Sequence, residues 1–368
     1  MHLRPRVLTA LLLAAAVGAA ACSDSTSAPP VRGFLEGTST NPDIAAFVNG
    51  SANTLLMLQL GAPDVRQELP LGAGPSITPV GFAVRGKKAM VPLGNAGSVA
   101  LVDLETNAVE RTFTFATGNA TGVAWINDTT VIVANQLDDY VGRIFIHQAG
   151  TAITDTLMVT PFPTDVQARD GKAYVVSSNL DENYAEIGDG VVTVIDPVTM
   201  TVLDSLPTGG RNPQFGAFGP DGRFYVVNTG EYFPADAQGS LAVYAAGVNA
   251  APTVIDGFGN APGPIAIDAA GRAVISSFSF GSIVYNTASG DFIRAPDTPL
   301  CAPTPSSGCR TASAAAVASD GRIYQTYFGS AAQSSPAEIF IYDATTYALV
   351  DSIAIPLLPS GIQVVDFP

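Results

Sequence analysis

The 368-residue chain is acidic, with 32 Asp and Glu against 17 Lys and Arg and a formal net charge of −15. A surface of that sign repels nucleic acid and anionic lipid, and suits cations, basic partners or plain solubility. Charged residues are only 13% of the chain while Gly and Pro number 36 and 27, which excludes a solvated helical or disordered chain and describes a β protein.

The first elements are not fold. Arg4 and Arg6 give a short positive region, and Val7 to Ala21 is an apolar run rich in Leu and Ala. At about fifteen residues it is short for a bilayer span of roughly twenty, and its flanks are those of an export signal. The run ends in Ala19-Ala20-Ala21-Cys22. This resembles the bacterial lipoprotein signal, in which the cysteine is lipidated and becomes the new N-terminus. Ala19 stands where that signal usually has Leu; an ordinary secretory signal, leaving Cys22 a plain thiol, is the other reading. Residues 1–21 are then the signal peptide and 22–34 the lipidated cysteine and tether. Ser23 to Pro30 (SDSTSAPP) is polar and aperiodic, as a flexible spacer should be. Ser23 occupies the place where an inner-membrane retention signal has Asp. The resemblance therefore implies the outer membrane, with the domain facing the periplasm or cell surface and touching membrane through its anchor alone.

The rest is repetitive. Gly97 to Asn135 reads GSVALVDLETNAVERTFTFATGNATGVAWINDTTVIVAN, and Gly190 to Asn228 reads GVVTVIDPVTMTVLDSLPTGGRNPQFGAFGPDGRFYVVN. Both run in one order: a strand ending in Asp, a turn with Thr, a second strand, a Gly-rich link, a third strand, a tight turn and a fourth strand ending in Asn. Apolar residues alternate or run continuously over five to seven positions, the signature of strands. The ends of the fourth strands fall at Asn49, Asn95, Asn135, Asn179, Asn228, Phe278 and Phe328, with spacings of 46, 40, 44, 49, 50 and 50. Asp170-Gly171, Asp221-Gly222, Gly271 and Asp320-Gly321 precede them and supply the positive φ of tight hairpins.

These units resemble the YVTN-type β-propeller repeat, most closely through Val194-Ile195-Asp196, Pro220-Asp221-Gly222 and Tyr225-Val226-Val227-Asn228. The likeness runs over the chain beyond the leader, strong in two or three copies and degenerate in the others. It implies an all-β fold over residues 35–368: a single seven-bladed β-propeller of four-stranded blades. The last two repeats match poorly, which leaves six or eight blades as alternatives. Residues 361–367 align with a third strand whose missing partner is available at 43–49. Pairing them closes the ring and removes the sheet edges that an open array would expose.

In such a propeller the links into the inner strands share a face with the links after the Asn-ended strands, and ligands bind where those loops converge. Asn119, Asp165, Arg211, Asn212 and Asn260 are the candidate binding residues of that face. Its other loops are acidic: Asp138 and Asp139; Asp181, Glu182, Glu186 and Asp189; Glu231 and Asp236. The second group is the candidate metal site, and Ca²⁺, a hard cation that takes six to eight oxygens, is the ion it would hold. Its spacing is not that of an EF-hand, and solvated surface acids are the plainer reading. Arg211 either meets a ligand or pairs with a neighbouring acid. Cys301 and Cys309, eight apart in a turn-rich segment, are expected to form a local disulfide in an oxidising compartment. Trp125 is expected to pack between blades, and the strand-end asparagines to bond loop backbone.

His147 has no second histidine beyond the leader with which to build a dyad or a metal centre, and no haem or phosphate-loop motif occurs. These readings describe a non-catalytic envelope lipoprotein whose loop face binds a protein, peptide or glycan. A metal-dependent hydrolase or lactonase-like enzyme built on Asp165, Asp181, Glu182 and Asn212 is the second class. A structural component like the surface-layer proteins that carry this repeat is the third.

Overall fold

The computed structural model describes residues 43–231, 239–301, 309–329, 337–355 and 359–366. The leader, Cys22, the tether, Asp236 and Phe367 lie outside the described residues. In chain order the strands begin with β1 (Asp43–Asn49), β2 (Thr54–Gln59) and β3 (Ala62–Pro70). Next come β4 (Ala83–Arg85), β5 (Lys88–Pro92), β6 (Ser98–Asp103) and β7 (Ala108–Thr114), then β8 (Ala120–Trp125), β9 (Thr130–Asn135), β10 (Tyr140–Phe145) and β11 (Asp155–Met158). They continue as β12 (Pro163–Arg169), β13 (Lys172–Ser177), β14 (Val191–Asp196) and β15 (Thr201–Pro207), followed by β16 (Pro213–Phe218), β17 (Phe224–Asn228), β18 (Ser240–Tyr244) and β19 (Thr253–Asp256). The last are β20 (Pro262–Ile267), β21 (Arg272–Ser277), β22 (Ser282–Asn286) and β23 (Asp291–Arg294), β24 (Ala312–Val317), β25 (Arg322–Tyr327), β26 (Ala337–Asp343) and β27 (Leu349–Ile355), and β28 (Pro359–Asp366).

Six groups of four consecutive strands form antiparallel sheets, and β28 joins β1, β2 and β3 in a seventh, ordered β28-β1-β2-β3. The first strands of neighbouring sheets pack side by side around a central axis, β8 on β12, β16 on β20 and β24 on β28 among them. The molecule is a seven-bladed β-propeller. The closing strand begins at Pro359, two residues earlier than the repeat predicts, because it carries a bulge: Ile362 pairs with Phe47 and Ser360 with Val48. Gly361 is the extra residue, at φ +69°, and a Cβ there would lie 3.3 Å from the Cα of Gly81. A left-handed bulge pressed against the next blade is a position for glycine.

The hydrophobic cores lie between blades. Ile44, Ala46 and Val48 of β1 pack with Ala89, Val91 and Val102 of the next blade, whereas Ala45 and Phe47 pack with Ala314, Tyr324 and Ile339 of the preceding one. Alternate residues of one strand thus serve two cores, so the inner and middle strands read as continuous apolar runs, as in Val131–Ala134. The outermost strands face water on one side and alternate instead; β7 is the clearest case. Trp125 is buried between blades, its indole N–H donating to the Ala83 carbonyl at 3.0 Å.

Arginines link neighbouring blades on the face formed by the short hairpin turns. Arg111 donates to the carbonyls of Ile146, Gln148 and Gly150 in the next blade. Arg143 reaches Pro197 and Val198, Arg169 reaches Gly219, and Arg223 reaches Thr287. Each guanidinium also lies over an aromatic ring, those of Phe113, Phe145, Phe218 and Tyr225 respectively. Exposed His147 sits in the turn that Arg111 holds, on this face and away from the loops.

Four strand ends differ from the repeat reading, β21 and β25 by a single residue, ending at Ser277 and Tyr327. β5 stops at Pro92, and Asn95 lies in the following loop, where its N–H meets the Thr78 hydroxyl at 3.0 Å. Proline has no N–H for the ladder, and the strand ends with it. β13 likewise ends at Ser177, two residues before Asn179.

Candidate functional site: the loop face and the channel

The links into the inner strands and the links after the second strands do open on one face. Gly94, in the β5–β6 loop, pairs with Ala120 at the start of β8. Asn135, at the end of β9, ties the same two kinds of loop together. Its Oδ1 accepts from the Asn119 N–H at 3.0 Å and its Nδ2 donates to the Thr117 carbonyl at 2.8 Å. Asn179 does similar work by donating to the Asp189 carbonyl, and Asn228 turns instead to the Ser240 hydroxyl.

Arg211 stands between two acidic loops, its guanidinium held by Glu186 of the β13–β14 loop and by Glu231 of the β17–β18 loop. Asn212, at φ +51°, donates to the Gly230 carbonyl at 3.1 Å and accepts from the Gln214 amide at 3.0 Å. Asn119 reaches Gln136 at 3.3 Å, and the Asn260 carbonyl accepts from the Ser277 hydroxyl at 2.9 Å. The side chains of Arg211, Asn212 and Asn119 therefore hold loop to loop, whereas Asn260 does so through its backbone.

The four candidate metal ligands turn to different partners. The Asp181 carboxylate accepts from the N–H groups of Asn183 at 2.8 Å and Ala185 at 2.9 Å, and these bonds hold its pKa below the usual range. Glu186 is taken by Arg211, while Glu182 and Asp189 are exposed. Among the described residues no group of three or more His, Cys, Asp or Glu is placed to hold a metal ion. The sequence expectation of a shared cation is thus not met by this geometry. Adjacent acids in a loop repel; Asp181 takes backbone N–H groups and Glu186 a guanidinium instead.

Asp165 is the candidate that the fold places deepest. It lies in the body of inner strand β12, whereas the other six inner strands carry no ionisable residue except at their last positions. It keeps some accessible surface although protein surrounds its carboxyl, as expected of a side chain lining the central channel. Burial pushes its pKa up. Three donors pull the other way: the Gly216 N–H of the next inner strand at 2.8 Å, the Gln167 amide at 3.1 Å and its neighbour Val166 N–H at 2.8 Å. Gly122 of the preceding blade comes so close that a Cβ would meet the Asp165 Cα at 2.4 Å.

Cys301 and Cys309 are joined, with Cα atoms 5.0 Å apart. Leu300 pairs with Ser282 through bonds of 2.8 and 2.9 Å, anchoring the bridge to the start of β22.

Composition and motif reading passed over the apolar residues of this face. Leu137, Met158, Tyr184 and Ile187 are all more than half exposed, in the β9–β10 loop, at the end of β11 and in the β13–β14 loop. The signal lay in the sequence as Tyr184 and Ile187 interrupting an otherwise polar run, but only the fold shows that they are uncovered.

No protein-family model matches the chain, and no curated protein sequence does. Solved structures do. A functionally unknown protein from Desulfotomaculum acetoxidans superposes with a TM-score of 0.64 at 14% identity, covering 89% of this chain and 100% of that one. Kuenenia stuttgartiensis hydrazine synthase superposes with a TM-score of 0.61 at 13% identity, covering 80% of this chain and 91% of that one. Likeness at such identities carries the fold and no activity.

Proposed function

We propose that this chain is an exported, lipid-anchored propeller of the YVTN type that holds an envelope protein, peptide or glycan on its loop face and performs no reaction on it. The observation that carries the reading is that face itself. Large apolar side chains stand uncovered among carboxylates there, over loops tied into fixed positions by Asn135, Asn179 and Arg211. Apolar groups kept exposed on ordered loops are the usual mark of an interaction surface. The disulfide suits the oxidising compartment that the leader implies.

Two experiments test the two halves. A Cys22→Ser variant is expected to lose fatty-acid labelling and to move from the membrane to the soluble envelope fraction; unchanged labelling would remove the anchor. A photo-crosslinking residue at Ile187 is expected to trap a partner in intact cells, and one at Asp170 on the opposite face is not. Cross-links from Asp170 alone, or from neither position, would overturn the binding reading.

A further inference from the structure

Four exposed apolar residues and the acids around them form one patch over the third and fourth blades. Asp139 joins its parts: its carboxylate accepts from the Phe162 N–H at 2.9 Å and its carbonyl from the Val159 N–H at 2.9 Å. The Phe162 ring then meets the Tyr184 ring edge to face, with centroids 5.5 Å apart. Leu137 and Met158 therefore adjoin the loop that carries Tyr184 and Ile187. Tyr184 is 67% exposed and Met158 64%, so neither is covered by its own chain.

Tyr184 is also held in place. It sits at φ +62°, a conformation costly for a bulky residue, fixed by its N–H bond to the Asp181 carbonyl at 3.0 Å and by the Asp181 carboxylate beneath. A ring presented in one position loses little freedom when a partner covers it. Around the patch stand Asp138, Asp139, Glu182 and Asp189, and the nearby cation, Arg211, already faces Glu186 and Glu231. A second copy of the chain would set carboxylate against carboxylate, which disfavours self-association through this patch.

We infer that this patch docks a basic segment of a partner protein, with a large apolar side chain packed on Tyr184 and lysine or arginine side chains meeting the surrounding carboxylates. The inference rests on the binding reading above and narrows its occupant. Apolar burial supplies affinity, the acids supply sign and on-rate, and the face of Tyr184 accepts a cation as well as a hydrocarbon.

The test is a titration of the purified full-length protein with three synthetic peptides. They are Lys-Phe-Lys-Gly-Lys-Phe-Lys, its counterpart with Glu for every Lys, and its counterpart with Ser for every Phe. The first is expected to bind with a dissociation constant below about 1 mM, and the other two at least about tenfold more weakly. Raising NaCl from about 50 to about 300 mM should weaken the first peptide at least about threefold. Tyr184→Ala should weaken it about tenfold and Tyr184→Phe should not; both substitutions lie on the surface, and melting curves check that the variants fold. No binding of the first peptide at that concentration, or equal binding by Tyr184→Ala, overturns the inference. If the glutamate peptide binds instead while Ile187 still cross-links in cells, the basic segment is wrong and the binding face stands. If neither peptide binding nor cross-linking is seen, both fall.

Discussion

Asp165 shows how a single residue on the inner ring can carry opposing demands. Its carboxylate satisfies the Gly216 N–H, which would otherwise be left unpaired at the channel wall. Burial nonetheless disfavours the charge, so the folded-state pKa lies above that of the unfolded chain. The folded state then binds the proton more tightly. Asp165 therefore contributes stability that is full below its unfolded pKa of about 3.9 and is lost as pH rises through the folded value. An Asp165→Asn variant should gain on the wild-type protein across that rise, in thermal melts followed from about pH 4 to 8. Asp165→Ala should cost about 1–3 kcal/mol at the low-pH end because the Gly216 donor loses its acceptor, and the cost should shrink as pH rises. A wild-type-minus-Asn difference that is flat with pH would show that the charge carries no burial cost. Gly122 answers to the same crowding. Gly122→Ala drives a Cβ into the backbone of Asp165 and Val166, at 2.4 and 2.6 Å. It is expected to destabilise by about 1–3 kcal/mol in urea melts; a neutral result would mean that the two inner strands can separate.

At the level of the blade, stability comes from the contacts between neighbours. Arg143 is representative: it pairs with Asp155, lies over Phe145 and donates to two carbonyls of the next blade. Lysine carries the charge but cannot fork to two carbonyls from a flat group over a ring. Arg143→Lys should therefore cost about 1–2 kcal/mol, read as a lower urea midpoint with an unchanged slope. The disulfide acts locally. Replacing Cys301 and Cys309 by Ser should remove about 2–3 kcal/mol, as expected for a short closed loop, and reduction of the wild-type protein should reproduce the shift. Equal melting of oxidised and reduced protein would reduce the bridge to a decoration of the loop.

For the whole molecule, closure decides whether the ring is one cooperative unit. β1 sits between β28 and β2, so a chain begun at Gly50 removes the middle of the closing sheet and exposes the faces of both adjoining cores. Such a chain is expected to be insoluble or to melt without a single cooperative transition; a sharp, unchanged melt would show that six blades and a remnant suffice. The acidic loops bear on the same scale through ion binding. With Asp181 held by backbone N–H groups and Glu186 by Arg211, addition of Ca²⁺ at matched ionic strength should leave the melting temperature unchanged. A saturable rise would mean that the loop rearranges to gather those carboxylates.

By itself the sequence favoured seven blades over six or eight, and the seven sheets of the closed ring decided the count; it determined the repeat, the pairing of the chain's two ends and the cysteine pair. All of these rest on patterns local in sequence or on residues that must recur: apolar runs for strands buried on both faces, Asp-Gly turns, and Asn135 or Asn228 at a strand end. It could not determine where the bulge at Gly361 falls or that Pro92 ends its strand before Asn95, because those depend on register against a partner strand. Nor could it sort the surface. Asp181 and Glu186 look alike in sequence, yet one caps its own loop and the other meets Arg211 from a distant link. Tyr184 and Tyr225 look alike too, and the ring buries one in an interblade core and leaves the other in solvent. Exposure and charge pairing are properties of which blades become neighbours, and only the closed tertiary structure sets that.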